Sequence, residues 1–118
     1  MGELGMQFSI IYGVIRPEIS EQLSVGIIIV DGDKISVRYS NKKMNVMKSL
    51  VTESEYKFFG KVLRSLVKNN TIQSTDVINY LTRYSNNLIA VSQLQAINLE
   101  PTEKNKEWLY RNYVYGRA

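Results

Sequence analysis

An almost uninterrupted apolar run, LSVGIIIV at residues 23–30, constrains the fold of this chain more than any other feature. A half-exposed strand alternates apolar and polar residues, whereas a run this continuous predicts a central strand with both faces covered. The DGD that follows is a strong turn signal, so KISVRYS at residues 34–40 is predicted to return beside it as an antiparallel partner. In that partner, one face is expected to carry Ile35, Val37 and Tyr39.

Further strands are predicted before and well after this hairpin. QFSIIYGVI at residues 7–15 is rich in β-branched and aromatic residues, which favour a strand. NLIAVSQLQAI at residues 87–97 predicts either one strand or two short ones. Gly26 is isolated within a strand pattern, which indicates close packing or a bulge.

After residue 40 the apolar residues follow the period of an α-helix. KKMNVMKSLV at residues 42–51 predicts a short helix with four inward side chains: Met44, Met47, Leu50 and Val51. The next helix is predicted to begin at TESE, where Thr52 and Glu55 fit a capping box. Its expected apolar face consists of Tyr56, Phe59, Leu63 and Leu66.

Two more helices complete the pattern. STDVINYLTRY at residues 74–84 predicts one, and the other is expected to begin after Pro101, with Thr102 as its cap and Gly116 at its end. The order of elements predicts a single α+β domain over residues 1–118. We expect an antiparallel sheet of about four to five strands, with three to four helices packed mainly on one face.

The chain contains no cysteine and no histidine. Disulfides are therefore impossible, and the usual zinc ligands, the commonest general base and the strongest nucleophile are missing. No glycine-rich phosphate loop is present, so we predict no metal, no cofactor and no catalysis. The alternative of a carboxylate-dependent enzyme would depend on Glu18 and Glu21, which are otherwise interpreted as residues of a solvated loop.

The longest apolar run, GIIIV at residues 26–30, is too short to cross a bilayer. The opening MGELGMQFSII lacks the basic region and the cleavage site of a signal peptide. We therefore expect a cytoplasmic protein without a membrane partner.

A basic stripe is predicted along one face of the helix that follows TESE, formed by Lys57, Lys61, Arg64 and Lys68. Residues 34–68 contain nine basic and two acidic residues, a net charge of +7, while the rest of the chain sums to −3. Lys42, Lys43 and Lys48 could extend the stripe. It could be a solvated helix face, or it could bind an acidic protein or nucleic acid. No aromatic residue interleaves the stripe to stack bases, which disfavours nucleic acid.

The carboxy-terminal helix is unusually aromatic, with Trp108, Tyr110, Tyr113 and Tyr115 in the stretch WLYRNYVYG. Apolar side chains on several sides of a helix indicate deep packing against the domain's own sheet or a contact with another chain. Because tryptophan and tyrosine are favoured interface anchors, a homodimer or a complex with a different protein is the alternative to internal packing.

The stretch YGVIRPEISEQLSVGIIIVDGDKISVRYS resembles the opening of a bacterial family known only as a domain of unknown function, number three thousand and thirty-seven. Its members show an aromatic strand, then Glu, then Asn, then Val-Gly and an apolar strand. Glu21, Val25 and Gly26 match this pattern, and Ser24 stands where the family usually has Asn. RYSNNLIAVSQLQAI and EWLYRNYV resemble the family's later landmarks.

The resemblance implies no activity, since none is established for the family. Its members are often encoded beside HipA-like kinases, which implies that a kinase of that type is a partner. We therefore predict a small non-catalytic bacterial interaction protein, with a nucleic-acid-binding protein and a carboxylate enzyme as alternatives.

Overall fold

The computed structural model describes residues 5–32, 34–68 and 88–115. Within them the chain forms five strands and three α-helices: β1 (Met6–Arg16), β2 (Glu21–Asp31), β3 (Lys34–Tyr39), α1 (Asn41–Lys48), α2 (Glu53–Lys68), β4 (Ile89–Val91), β5 (Gln95–Ile97) and α3 (Glu103–Tyr110). A short 3-10 turn, Pro17–Ile19, joins β1 to β2, and α3 continues into a π-helical turn, Arg111–Tyr115. The predicted α+β class and strand number are confirmed. The helix predicted at residues 74–84 lies outside the described residues.

All strand pairs are antiparallel, in the order β3-β2-β1, with β4 and β5 both on the other side of β1. The predicted hairpin is confirmed, because Asp31 pairs with Lys34 and leaves a two-residue loop. Gly32 in that loop has a φ of 61°, a backbone conformation that glycine adopts at little cost.

Both faces of β2 are covered, as its continuous apolar run predicts. Ile28 and Val30 lie in one apolar layer with buried residues of α1 and α2, including Met44, Met47 and Phe59. Ile27 and Ile29 lie in the opposite layer, together with Met6, Phe8, Ile10, Leu109 and Val114. Two of the three helices in the described residues therefore cover one face and α3 covers the other, so a placement mainly on one face is not confirmed.

The inward face of α1 differs from the prediction at one position. Met44 and Met47 are buried, and Val51 packs against the same layer. Leu50, expected inward, is 51% exposed. The helix ends at Lys48, so the helical period no longer determines the direction of Leu50 two residues later.

A bulge interrupts the pairing of β1 with β2 next to Gly26. Ile11 pairs with Gly26 and Tyr12 pairs with Ser24, which leaves Val25 without a partner on β1. The Val25 carbonyl instead accepts a hydrogen bond from the Ser40 backbone N–H at 2.8 Å. A Cβ at position 26 would lie 2.8 Å from the Arg38 carbonyl oxygen, so close backbone approach and a bulge both account for this glycine.

Of the two alternatives predicted for residues 87–97, the structure has the two short strands. Ser92 connects the gap between them to β1. The Ser9 hydroxyl donates to the Ser92 carbonyl oxygen at 2.6 Å, and the Ile10 N–H donates to Ser92 Oγ at 2.8 Å. The Ser92 N–H donates to the Ile10 carbonyl oxygen at 3.0 Å. The hydroxyls of Ser9 and Ser92 thus satisfy backbone groups where the ladder is interrupted.

Both predicted helix caps are confirmed. The Glu55 N–H donates to Thr52 Oγ1 at 3.2 Å and the Thr52 N–H donates to Glu55 Oε1 at 3.0 Å, which completes the capping box of α2. Thr102 Oγ1 accepts from the Asn105 N–H at 3.1 Å at the start of α3. Among the described residues, no helix combines the length and apolar character needed to span a membrane.

Candidate functional site

The basic stripe lies on the solvent-facing side of α2. Lys57, Lys61 and Arg64 are exposed, as the helical period predicts. Lys68 is the last residue of the helix, and its side chain lies outside the described part of the structure. Lys57 Nζ lies 3.7 Å from Glu53 Oε2, but both side chains are largely exposed, so this pair contributes little. The stripe therefore keeps most of its positive charge available.

A cavity of about 180 Å³ opens beside the stripe, between the end of β3, the start of α1 and the middle of α2. Its lining combines cations, tyrosines and apolar side chains: Tyr39, Asn41, Met44, Tyr56, Lys57, Gly60, Leu63 and Arg64. No carboxylate is among these residues. No aromatic residue interleaves the stripe along α2 itself, but β3 brings Tyr39 to the neighbouring cavity, and Tyr56 lines the same space.

Gly60 leaves room for the guanidinium of Arg64 beside α2. A Cβ at position 60 would lie 3.1 Å from Arg64 Nη1, so the guanidinium lies close against the helix where the glycine has no side chain. A side chain at position 60 would require the exposed end of Arg64 to shift by a few tenths of an ångström. The glycine therefore lets the charged group line the cavity wall.

Lys43 has a structural role that sequence reasoning missed. Its ammonium group donates to both the carbonyl oxygen and the hydroxyl of Ser24, each at 3.1 Å, and so joins α1 to the bulge of β2. The side chain is half-buried, and this burial lowers the pKa of Lys43 because desolvation disfavours the charged form. Of the three lysines proposed to extend the stripe, Lys43 is thus engaged internally, whereas Lys42 and Lys48 are exposed.

Because its pKa is lowered, the Lys43 side chain is expected to lose its proton at a lower pH than an ordinary lysine does. The unfolded chain keeps that proton through the interval between the two pKa values, so the contribution of this group to stability should rise with pH there. NMR titration of the Lys43 side-chain signal, assigned by its loss in Lys43→Arg, measures the midpoint. A midpoint at the ordinary lysine value would contradict the burial seen here.

The two glutamates of the enzyme alternative are both exposed. Glu18 lies in the 3-10 turn, and Glu21 Oε1 lies 3.7 Å from Arg16 Nε in a solvent-exposed pair. The family-motif positions have separate surroundings: Glu21 begins β2, Ser24 accepts from Lys43, and Gly26 adjoins the bulge. Among the described residues, no group of three or more potential metal-ligating side chains comes together.

The aromatic residues of the carboxy-terminal helix divide between core and surface. Tyr110 packs against the apolar layer that contains Leu109 and Val114. Tyr113 is 43% exposed, and its ring centroid lies 5.0 Å from that of Phe8. Trp108 is 48% exposed. The Tyr115 side chain lies outside the described residues.

The π-helical turn explains why the buried pair in this region is Leu109 and Val114. In a continuous α-helix, residues five apart point in clearly different directions. The wider π turn, with its i→i+5 hydrogen bonds, rotates less per residue, so the direction of Val114 stays closer to that of Leu109, and both side chains are buried. Trp108 remains on the outer face, in a shallow depression lined also by Lys104, Asn105, Glu107 and Arg111.

The described elements form a small α+β fold in which helices cover both faces of one antiparallel sheet, and a candidate surface lies on each side. The first is the basic cavity between α1 and α2, and the second is the outer face of α3 around Trp108. Comparisons with protein-family models, with curated proteins and with solved structures found no match. The resemblance to the bacterial family of unknown function therefore stays a prediction.

Proposed function

We propose that this protein is a non-catalytic interaction module that binds a partner protein through the outer face of α3. The observation that carries the proposal is the exposure of Trp108, the only tryptophan in the chain. Tryptophan is the side chain most enriched among residues that dominate binding energy at protein interfaces.

The helix that presents Trp108 is held firmly to the domain. Leu109 and Val114 are fully buried on its inner side. Its first residue, Glu103, accepts a hydrogen bond from Arg38 of β3 at 2.6 Å, and Thr102 caps it. A side chain on such a helix is preorganised, so a partner would order few groups on binding.

The surroundings of Trp108 have the composition of an interface rim. Lys104, Glu107 and Arg111 are exposed around the indole, and Arg111 Nη2 lies 2.9 Å from Glu107 Oε2. An aromatic centre inside a polar, mixed-charge rim is the usual arrangement at transient protein interfaces. The resemblance to the bacterial family supports a HipA-like kinase as the partner in the cytoplasm, and a second copy of this chain is the alternative partner.

Trp108→Ala is expected to weaken binding to a purified HipA-like kinase from the source organism by about thirtyfold or more, as for a dominant interface residue. Calorimetry measures the affinities. With the unaltered protein, the emission of the single tryptophan should also shift to shorter wavelength in a saturable way as the indole becomes buried. Sedimentation velocity over a range of concentrations tests self-association in the same samples.

The matched control is Phe58→Ala, which removes another exposed aromatic side chain, but from α2. It should leave the affinity for the kinase unchanged. Equal weakening by both substitutions would point to a general loss of structure, and unchanged affinity after Trp108→Ala would exclude this face. Loss of a dimer on Trp108→Ala, with no kinase binding by either protein, would assign the face to self-association.

A further inference from the structure

We propose that the cavity between β3, α1 and α2 binds a nucleotide unit, with the base against Tyr39 and Tyr56 and the phosphate at Lys57 and Arg64. This site is independent of the proposed function, because it lies on the opposite face of the sheet from α3. The proposal depends on the charge, the aromatic lining and the size of the cavity.

The positive charge of the cavity is available to a ligand. Arg64 forms no hydrogen bond or ion pair with any residue in the described part of the chain, and its guanidinium is placed against Gly60. Within residues 5–32, 34–68 and 88–115, the only ion pair of Lys57 is the long, solvent-exposed one with Glu53. With no carboxylate in the lining, the cavity attracts an anion, and guanidinium is well suited to phosphate oxygens.

The remaining lining suits a flat ring. Tyr39 and Tyr56 are half-buried beside the cations, and Met44 and Leu63 are buried residues that supply apolar surface. Lys48 Nζ lies 5.8 Å from the centroid of the Tyr56 ring, which adds further positive charge near the aromatic wall. Asn41 contributes an exposed amide that can donate to or accept from the edge of a base.

The size of the cavity limits the ligand to one ring system. About 180 Å³ is smaller than the roughly 300–1,000 Å³ of pockets that enclose drug-sized molecules. One base can enter while its phosphate remains at the rim. Sites that combine a basic surface with aromatic side chains bind nucleotides of single strands in this way, and exposed Lys61 farther along α2 could contact a neighbouring phosphate.

Binding is tested by NMR titration at low salt, with the backbone amide signals of Tyr39, Asn41 and Gly60 as reporters. The probes are adenosine 5′-monophosphate, adenosine, inorganic phosphate and a single-stranded hexamer of adenylate. We expect saturable shifts with the monophosphate. Inorganic phosphate, which lacks the base, should bind about fivefold or more weakly than the monophosphate. Adenosine, which lacks the phosphate, should bind about tenfold or more weakly.

Arg64→Gln should weaken monophosphate binding by about tenfold or more, since a charge-assisted hydrogen bond to phosphate is lost. The matched control, Arg111→Gln, makes the same charge change on α3 and should alter binding by less than about twofold. Tyr39→Phe, which keeps the ring, should retain binding and confirms that the fold of β3 is intact.

Comparing the affinities of the hexamer and the monophosphate shows whether the site binds a nucleotide within a single strand or a free nucleotide. Tighter, salt-dependent binding of the hexamer that is lost in Arg64→Gln assigns the site to a single strand, whereas equal affinity assigns it to a free nucleotide. The proposal is overturned if inorganic phosphate binds as tightly as the monophosphate, if Arg64→Gln binds like the unaltered protein, or if none of the four probes shifts the reporter signals.

Discussion

Replacing Phe59 with alanine is expected to lower the free energy of unfolding by about 3–5 kcal/mol, as for other fully buried phenylalanines. The Phe59 side chain is 0% exposed. It packs in the apolar layer that joins α1 and α2 to the sheet. A Cβ at Gly13 of β1 would lie 3.2 Å from Phe59 Cε2, which shows how closely the ring approaches the strand. Small domains are stable by only about 5–15 kcal/mol, so this one change threatens the whole fold.

Phe58 provides a matched control, because it is the neighbouring residue on the same helix and allows the same substitution. It is 36% exposed, so Phe58→Ala should cost less than about 1.5 kcal/mol. Urea denaturation followed by circular dichroism measures both values. Similar losses for the two variants would mean that α2 does not face the sheet as described.

Leu109→Ala should lower the free energy of unfolding by about 2–5 kcal/mol, because Leu109 is fully buried between α3 and β2. This change tests only the apolar layer between the sheet and α3, because Leu109 belongs to that layer and not to the one beneath α1 and α2. The expected result is a lower denaturation midpoint with an unchanged dependence on denaturant concentration.

Trp108→Ala, at the adjacent position of α3, is the control for this layer. The indole is about half exposed and lies on the outer face of the helix, so the change should cost well under the Leu109→Ala value. If Trp108→Ala proved the more destabilising of the two, the orientation of α3 on the sheet would be reversed from that described.

The structural features that the sequence predicts correctly are determined by residues close together in the chain. The hairpin follows from the turn residues between two apolar strands, and both helix caps follow from a hydroxyl three residues before its backbone partner. The central position of β2 follows from an apolar run without alternation. Each of these signals is contained within about ten residues of the chain, which is why it can be read without knowledge of the tertiary structure.

The features that sequence misses bring together distant segments. Lys43 contacts Ser24 across 19 positions, beside the bulge of β2, and no local pattern in the sequence joins these two residues. Tyr39 meets Arg64 in one cavity because β3 ends where α2 passes. The burial of Val114 occurs within a π-helical turn, for which the sequence carries no clear periodic signal.

The connection between Ser9 and Ser92 has a consequence for the order in which the protein folds. The two residues are 83 positions apart, so one edge of β1 can be closed only after most of the chain has been made. At a synthesis rate of about 5–20 residues per second, the ribosome needs about 4–17 s to cover that distance. During this time β1 has an unpaired edge on the side that β4 and β5 later occupy, which makes the nascent chain susceptible to pairing with the wrong strand.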